Sequence, residues 1–400
     1  MAGLAYKWLA STALIFALVL IAGIWHMGSN SMIACGFFGA CFIFIGTRPG
    51  RRLLLINIAA GAAYAAGYRL LGGPFDHDPL VAVISAGAFL GLGSITLMAW
   101  RLIWHAESNQ SAALRDALVL PVFSLLAGLG MNWANGSAQR TYDHLLYAFD
   151  GTLLRVPPGQ TVTVLFKNFS WIAAASAAAY QGLLIFPPLY RGWALYRGVR
   201  GGVNVMHAFA VAGVAGFILY QVCPAEGPIY SFGTRFPDHL PDWHEVSIAP
   251  YLSAGVHNAI PSMHMAWALL VLWSALELGP IAIAFAASFV GFTALATLGS
   301  GEHYLIDLVV SAPLILAVVS AFKRDLARTA LGLGLTFGWL LYLRSGAFLP
   351  RPGIANWMLI LATFVIVIVS QLHQIKLLVV QQRIGLHQHG PAQDLLDLLK

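Results

Sequence analysis

Long apolar runs recur from one end of this chain to the other, and they restrict its fold more than any other feature. An α-helix needs about 20 residues to cross a bilayer, and twelve runs come near that length. In lipid only helices and closed barrels satisfy every backbone hydrogen bond, and these runs lack the alternation of barrel strands. The sequence therefore predicts an all-α fold, a polytopic membrane helical bundle of about twelve transmembrane helices. The runs lie at about 8–25, 32–46, 54–71, 80–104, 116–133, 169–188, 203–222, 261–277, 281–298, 304–321, 329–346 and 355–375.

Composition supports a membrane protein and excludes several other classes. Of 400 residues, 59% are hydrophobic and only 10% are charged, whereas a soluble domain carries about 25% charged residues. The first run has no small-residue cleavage site after it, so we interpret it as a retained span. The net charge of +6 comes mostly from short loops, which indicates a topology signal and not a nucleic-acid partner. The three cysteines, Cys35, Cys41 and Cys223, are too scattered for a disulfide framework or a zinc site.

The distribution of basic residues predicts the orientation, because lysine and arginine accumulate on the cytoplasmic side. If the N-terminus is cytoplasmic, 15 of the 22 lysines and arginines fall in cytoplasmic segments and 7 on the other side. Both termini are then cytoplasmic. Two long loops, at about 134–168 and 223–260, lie on the outer side.

A first polar motif, "PSMH", opens one of the apolar runs at the outer face. Pro261 suits the first turn of a helix, where its missing N–H costs nothing. The free N–H groups of such a turn bind anions, phosphate especially. His264 lies in the same turn and can reach an anion there. A single histidine at a helix end is, however, ordinarily an interfacial residue.

A second motif, "HYLID", opens another run at the same face. His303 and Asp307 are four residues apart, which places them on one face of a helix. A carboxylate there can hold one imidazole nitrogen and leave the other free to attack. About 40 residues separate the two motifs, enough for two spans and a return to the same side. A phosphate could then lie between His264 and His303.

These motifs resemble those of the type-2 phosphatidic acid phosphatase superfamily. Its Pro-Ser-x-His motif matches residues 261–264, and its His-x-x-x-Asp motif matches His303 and Asp307. The resemblance implies that His303 is a nucleophile that forms a phosphohistidine. It also implies that His264 protonates the leaving group and that Asp307 orients the nucleophile, without any metal or cofactor.

The resemblance covers about 116–321 and implies a six-helix catalytic core there. Residues 1–115 are then an N-terminal four-helix membrane extension, and residues 322–400 a C-terminal two-helix extension with a cytoplasmic tail. The mixed tail lacks a long hydrophilic segment, which favours a bacterial inner membrane. The active site would face the periplasm, or the lumen in a eukaryote.

Departures from the family pattern bear on the substrate. Ala296 and Thr297 replace the usual Ser-Arg, Pro228 stands where a lysine is usual, and Phe236 follows Arg235 in place of proline. A threonine six residues before the histidine resembles the branch that includes inositol phosphorylceramide synthases. The residues expected to bind substrate are Arg235, Ser262, Pro261, His257, Thr297 and Tyr304.

The shortage of cations favours a substrate with one negative charge. A phosphomonoester or pyrophosphate usually needs matched arginines, whereas a phosphodiester needs less neutralisation. We therefore expect a lipid phosphotransferase that moves a phosphoryl headgroup from a phospholipid of the outer leaflet to a hydroxyl acceptor, in sphingolipid or phospholipid synthesis. The alternative is a lipid phosphate or polyprenyl pyrophosphate phosphatase. The oligomeric state is left open.

Two further hypotheses use the same residues or the same span count. A zinc site could combine His257, His264, His303 and Glu302, but the spacing fits no metal motif and leaves "PSMH" unexplained. A transporter commonly has twelve spans, yet no ionisable group lies clearly at mid-span and no internal repeat is evident.

The first outer loop adds a separate group of polar residues, Asp143, His144 and Asp150. They would either bind a polar acceptor or belong to an amphipathic interfacial segment. Tyr304 fits an anchor at the membrane interface as well as a substrate contact.

Overall fold

The computed structural model describes residues 31–73, 79–105, 108–137, 140–154, 156–199, 203–253 and 255–388. In this part of the chain, fifteen α-helices account for most of the structure, so the predicted all-α class is confirmed. The helices are α1 (Ser31–Gly46), α2 (Arg51–Leu70), α3 (Pro79–His105), α4 (Ser108–Ser137), α5 (Asp143–Leu153), α6 (Pro158–Asn168), α7 (Ser170–Gln181), α8 (Phe186–Arg197), α9 (Val205–Leu219), α10 (Pro228–Phe232), α11 (Met263–Ala275), α12 (Pro280–Gly299), α13 (Leu305–Phe322), α14 (Leu326–Arg344) and α15 (Gly353–Gln388).

Several of these helices are suited to cross a membrane. Among the described residues, seven helices are long and apolar enough, or eight if the bent pair α6–α7 is one span. The seven are α2, α3, α4, α12, α13, α14 and α15. Helices α1, α9 and α11 are apolar but have only 16, 15 and 13 residues. The first predicted span, 8–25, lies outside the described residues, so a membrane protein is supported but the count of twelve is not confirmed.

The predicted span at 169–188 is wrong as a single helix. The chain forms α6 and α7 with a bend of 119° between them, then a 3₁₀ turn at Gly182–Leu184 and the separate helix α8. Phe169 has non-helical backbone angles between α6 and α7, with φ −133° and ψ 83°. Pro187 and Pro188 lie in the first turn of α8, where proline is tolerated, and the preceding helix cannot continue through them.

Helix α13 lies at the centre of the molecule. In its apolar window 83% of the residues are buried, against 17% in α2 and 22% in α15. The outer helices instead expose large apolar side chains such as Leu55 and Phe285, as expected for surfaces that face lipid. The start of α13 carries Asp307, so one end of this buried helix positions part of the predicted site.

The N-terminal helices pack closely against the rest of the chain through glycines. Helices α1 and α8 touch where Gly46 meets Gly192, because a Cβ on Gly46 would overlap the Gly192 carbonyl oxygen. Helix α3 approaches α1 in the same way, since a Cβ on Gly91 would overlap the Phe37 carbonyl oxygen. Small residues commonly bring membrane helices this close. One hydrophobic core includes side chains from α1 to α15. The predicted division of the chain into an N-terminal extension, a catalytic core at 116–321 and a C-terminal extension stays a prediction.

Polar contacts join segments at both ends of helix α9. Beyond its C-terminal end, the strands Arg140–Thr141 and Tyr251–Leu252 pair antiparallel and link the two long predicted outer loops. At its N-terminal end, the Asp116 carboxylate accepts hydrogen bonds from Arg191 and Asn204, both at 2.6 Å. The bundle is thus held by polar clusters at its ends and by apolar packing between them.

Candidate functional site

The starts of helices α11 and α13 lie side by side and bring the two sequence motifs together. The Ser262 N–H donates to the Asp307 carbonyl oxygen at 3.1 Å, and the Ser311 hydroxyl donates to the Ser262 carbonyl oxygen at 2.7 Å. These bonds fix the relative height of the two helices. The arrangement requires a return to the same end of the bundle after α12, as the spacing of the motifs predicts.

The first turn of α11 begins two residues later than the sequence pattern predicts. Pro261 precedes the helix, so its predicted place inside the first turn is wrong. Ser262 is the N-cap, and its Oγ accepts a hydrogen bond from the Met265 N–H at 3.3 Å. A serine at this position satisfies one of the free N–H groups of the turn. His264 does lie in the first turn and extends toward the second motif.

His264 and His303 are hydrogen-bonded to each other. His264 Nδ1 lies 3.4 Å from His303 Nε2, and the ring centroids are 5.6 Å apart. His303 Nδ1 lies 2.8 Å from the Ala259 carbonyl oxygen. A carbonyl can only accept, so this network assigns the proton to Nδ1 and the lone pair to Nε2 in neutral His303. The shared hydrogen bond is then donated by His264 Nδ1 to His303 Nε2.

Asp307 helps to form the start of α13. Its Oδ2 accepts a hydrogen bond from the Tyr304 N–H at 2.7 Å and lies 3.6 Å from His303 Nδ1. Helix α13 begins at Leu305, so His303 stands on the preceding loop and not on a helical face with Asp307. The hydrogen bond that holds the His303 ring comes from the Ala259 carbonyl, and the orienting role of Asp307 stays a prediction.

Tyr180 and Glu302 complete the surroundings of the two imidazoles. The Tyr180 ring stacks on the His264 ring at 4.4 Å between centroids, and its hydroxyl donates to the Glu302 carboxylate. Tyr180 comes from α7, on the bent segment. The sequence around Tyr180 does not indicate this contact, because the contact depends on the bend between α6 and α7.

The same atoms are close enough to hold a metal ion. One ligand atom each from His264, Glu302 and His303 lies within 4.8 Å of the others. His257, the fourth member of the zinc set considered from the sequence, lies instead 3.5 Å from a Glu226 oxygen. A metal site therefore has three candidate protein ligands here, and the absence of a metal stays a prediction to be tested.

Burial governs the protonation of His303. The side chain is 3% exposed, and this desolvation lowers the pKa of His303 to about 4, although the neighbouring Glu302 charge and the Ala259 hydrogen bond oppose the shift. A buried imidazole is costly to protonate because the charge loses its hydration. His303 is therefore neutral near pH 7, with its Nε2 lone pair available.

A second buried polar cluster supports the loop beside His303. The Asp143 carboxylate accepts hydrogen bonds from the Glu226 N–H at 3.0 Å and the Gly227 N–H at 2.8 Å. Gly227 has a φ of 95°, and a Cβ there would overlap the Glu302 carbonyl oxygen. Glycine is thus required for the loop to approach the residue before His303. Burial raises the pKa of Asp143 to about 6, against these hydrogen bonds.

Asp150 has a similar role at the start of α13. Its carboxylate accepts hydrogen bonds from the Leu305 N–H at 2.7 Å and the Ile306 N–H at 3.2 Å. These are free N–H groups of the first turn, where a carboxylate is favourable. Asp143 and Asp150 are therefore structural supports of the site, whereas the sequence predicted either binding of a polar acceptor or an amphipathic interfacial segment.

The remaining predicted substrate residues differ in their placement. Arg235 is exposed on the 3₁₀ turn Gly233–Arg235. Thr297 is buried within α12 and bonds to the Ala294 carbonyl oxygen of its own helix at 3.1 Å. Tyr304 is 2% exposed and its hydroxyl lies 3.4 Å from Ser231 Oγ, so an anchor at the membrane interface is wrong. Packing against the segment that carries Ser231 explains this tyrosine.

Comparison with known proteins adds a family to this geometry. Residues 145–321 match the model of the PAP2 superfamily. The matched segment runs from within α5 to the end of α13 and contains both histidines, in agreement with the resemblance predicted from the motifs. Helices α1–α4, α14 and α15 lie outside it. Searches of curated proteins and of solved structures found no match.

The family match supports an enzyme with lipid phosphatase or phosphotransferase activity in general. It covers less than half of the chain and begins later than the 116–321 expected from the sequence. The similarity to the branch with inositol phosphorylceramide synthases stays a prediction.

Proposed function

We propose that this protein is a membrane-embedded lipid phosphotransferase that works through a phosphohistidine at His303. The observation that carries the proposal is the histidine pair. His303 Nε2 has its lone pair directed at His264 Nδ1, 3.4 Å away, while its own proton is engaged by the Ala259 carbonyl. A phosphoryl group that enters between the rings meets a nucleophile on one side and a proton donor on the other.

In the first step, the lone pair of His303 Nε2 forms a bond to phosphorus. The ester bond between phosphorus and the lipid oxygen breaks, and that oxygen takes a proton from His264. His264 has to enter this step as the imidazolium, a form that the negative charge of the bound phosphoryl group favours against the burial of the ring. The products are a headgroup phosphoryl-histidine and a neutral lipid alcohol. Splitting the transfer into two displacements is the usual advantage of covalent catalysis.

In the second step, the hydroxyl of an acceptor lipid attacks the same phosphorus. Neutral His264 takes the proton from that hydroxyl, and the bond between phosphorus and His303 Nε2 breaks. The histidine then returns to its starting state. If water is the acceptor, the same two steps give a phosphatase, which is the second candidate function.

Charge in the described site favours a substrate with a single negative charge. Among the described residues, the contacts of the two imidazoles include Tyr180 and the Ala259 carbonyl but no lysine or arginine. The Glu302 carboxylate adds a negative charge beside them. A dianionic phosphomonoester is poorly matched to these surroundings, whereas a phosphodiester requires less neutralisation.

The location of the reaction is part of the same proposal. By the positive-inside rule the histidine pair faces the outside, so the donor lipid comes from the outer leaflet of a bacterial inner membrane. Residues 145–321 would supply the catalytic residues. Arg235, His257 and Thr297 would contact the substrate only after a change from this structure, or would act on it through other residues.

The test gives the purified protein two kinds of substrate. One is a phosphatidylinositol-type diester with an alcohol acceptor, such as a ceramide or diacylglycerol. The other is phosphatidic acid or a polyprenyl pyrophosphate. We expect headgroup transfer from the diester and acid-labile phosphate trapped on the protein. His303→Ala should remove both, lowering turnover by more than ~10³-fold.

His239→Ala is a matched control, because His239 is exposed on an outer loop, and it should keep full turnover. Rapid release of inorganic phosphate from the second substrate kind without transfer from the first would identify a phosphatase instead. Loss of turnover on treatment with a chelator, restored by Zn²⁺, would favour the metal-dependent alternative. A fully active His303→Ala protein would exclude the phosphohistidine route.

A further inference from the structure

A cavity separates the N-terminal helices from the segment that matches the PAP2 superfamily. Its volume is about 460 Å³. Helices α1 and α3 form one side, and α7, the turn at Gly182–Leu184 and α11 form the other. We call it the seam cavity. Its walls thus come from two parts of the chain, of which only the second lies inside the matched residues.

The wall of the seam cavity includes one of the two proposed catalytic residues. His264 lines it, with Trp267 one turn further along α11. His264 Nδ1 points to His303, 3.4 Å away, so the same imidazole borders both the reaction centre and the cavity. Tyr180, which stacks on His264, also lines the cavity. A molecule whose phosphate reaches His303 therefore has this cavity beside its phosphate.

The character of the cavity indicates what it holds. Most of its lining is apolar, including Cys35, Ile84 and Leu184, and the polar members are confined to the side of α7 and α11. Its volume lies in the range of about 300–1,000 Å³ that is usual for small-molecule sites. An amphiphile with a polar group at His264 and a hydrocarbon chain toward α1 and α3 matches this distribution. A polar acceptor such as a free sugar does not.

We propose that the seam cavity holds a hydrocarbon chain of the lipid that reacts at His303, and that α1 and α3 select lipids by the shape of that chain. This inference rests on the proposed function. It gives the helices before residue 145 a direct part in substrate recognition. The chain is that of the donor or of the acceptor, since both must bring an oxygen to the same phosphorus.

The cavity can be filled without touching the histidines. Ile84 lines it and is 8% exposed, so Ile84→Trp places a large ring inside. Val83, its neighbour on α3, is 60% exposed and does not line the cavity, so Val83→Trp is the matched control. We expect Ile84→Trp to raise KM for the long-chain lipid by at least ~10-fold, equivalent to about 1.4 kcal/mol. KM for a short-chain version of the same lipid should change little.

Shortening the donor chain and the acceptor chain in separate series identifies which one occupies the cavity. If KM for one of the two lipids no longer depends on its chain length in Ile84→Trp, the chain of that lipid occupies the cavity. If Ile84→Trp and Val83→Trp behave alike with all lipids, the cavity does not hold a chain and the inference is wrong.

Direct cross-linking keeps this inference separate from the proposed function. A phospholipid with a photoreactive group on its acyl chain is bound to His303→Ala protein, which cannot turn it over. We expect cross-links on α1 and α3 around Cys35 and Ile84, and their loss in the Ile84→Trp background. Cross-links at the cavity without any phosphoryl chemistry in the wild type would refute the proposed function but not the chain site. Cross-links only on exposed lipid-facing residues would refute the chain site.

Discussion

At the scale of single residues, the backbone of Ala259 fixes which nitrogen of neutral His303 carries the lone pair. The Ala259 carbonyl oxygen engages Nδ1 at 2.8 Å, so the lone pair of the neutral ring is on Nε2, toward His264. Tautomer control by a fixed acceptor is a usual way to prepare a histidine for catalysis. Here the acceptor lies in the loop just before α11, so the loop that presents His264 also orients His303.

The low pKa of His303 predicts an unusual pH profile. An ordinary imidazole loses its lone pair to a proton below about pH 6.5. Burial lowers the pKa of His303 to about 4, so its lone pair persists on acidification. In a single-turnover experiment, we expect acid-labile phosphate on His303 to form without loss of rate between about pH 6.5 and about pH 5.

The folded fraction has to be measured in parallel. The unfolded imidazole binds a proton near pH 6.5 and the folded one only near its pKa of about 4, so the unfolded state binds more protons in between. Acidification through this window therefore lowers the stability of the folded protein. A rate per folded molecule that falls with a midpoint near about pH 6.5 would contradict a buried, neutral nucleophile.

Residue types and spacing predicted the histidine pair but not all of its partners. His264 and His303 could be expected to meet because two spans return the chain to one face. The Ala259 carbonyl could not be predicted, since a backbone acceptor has no signature in the sequence. For Arg235 the sequence predicted a contact that the structure does not show. Its charge suggested a phosphate contact, but the turn that carries it leaves the side chain exposed.

At the scale of elements, the short helix α5 connects the loop before α10 to the start of α13. Asp143 at its first position accepts hydrogen bonds from Glu226 and Gly227, and Asp150 two turns later accepts hydrogen bonds from Leu305 and Ile306. Both carboxylates are buried. Helix α5 therefore supports the residues on either side of His303.

Removal of the Asp150 carboxylate should lower both the stability and the turnover of the protein. Asp150→Ala leaves two buried N–H groups without their acceptor, at a cost of about 1–3 kcal/mol each. We expect a lower melting temperature and a several-fold loss of turnover, because α13 begins two residues after His303. Asp150→Asn keeps one acceptor oxygen but places an NH2 donor opposite the second N–H, so its effect on both properties should be smaller than that of Asp150→Ala but not absent.

The control is an exposed aspartate in the same outer region. Asp238 forms an ion pair with Lys167 in which both side chains are more than half exposed, and such pairs contribute about 0–1 kcal/mol. Asp238→Ala should leave melting temperature and turnover nearly unchanged. Equal effects of Asp150→Ala and Asp238→Ala, measured by thermal unfolding in detergent, would show that α5 does not brace the site.

Sequence periodicity predicted most helices but not the joints between them. The runs behind α2, α3 and α12–α15 are long and continuous, so their hydropathy alone identifies them. The bend at Phe169 has no such signal, and α7 beyond it carries the Tyr180 ring that stacks on His264. Asp150 bonds to residues 155 and 156 positions away, a separation over which local patterns carry no information.

At the scale of the whole molecule, the orientation in the membrane stays a prediction that cysteine labelling can test. Cys35, Cys41 and Cys223 are all buried, so the native background is low. Asp238→Cys introduces an exposed thiol on the side of the histidine pair. Arg324→Cys introduces one at the opposite end, after α13. A membrane-impermeant maleimide should label only the first in intact cells.

Opening the membrane should make the Arg324→Cys protein reactive as well, which controls for folding and accessibility. Labelling of Arg324→Cys but not Asp238→Cys in intact cells would reverse the orientation. The proposed donor would then have to come from the cytoplasmic leaflet, although the chemistry of the histidine pair would be unaffected.

The hydrogen bonds between α5 and the site predict how the protein behaves in detergent. Detergent extraction replaces the lipid that packs against the exposed apolar side chains of the outer helices. Here hydrogen bonds from Asp143 and Asp150 hold the loop and the helix start next to His303, and detergent competes poorly for buried carboxylates. The histidine pair should therefore survive solubilisation better than the contact between α1 and α8, where close glycine packing and an exposed hydrogen bond from Arg48 to the Tyr196 carbonyl oxygen join the helices.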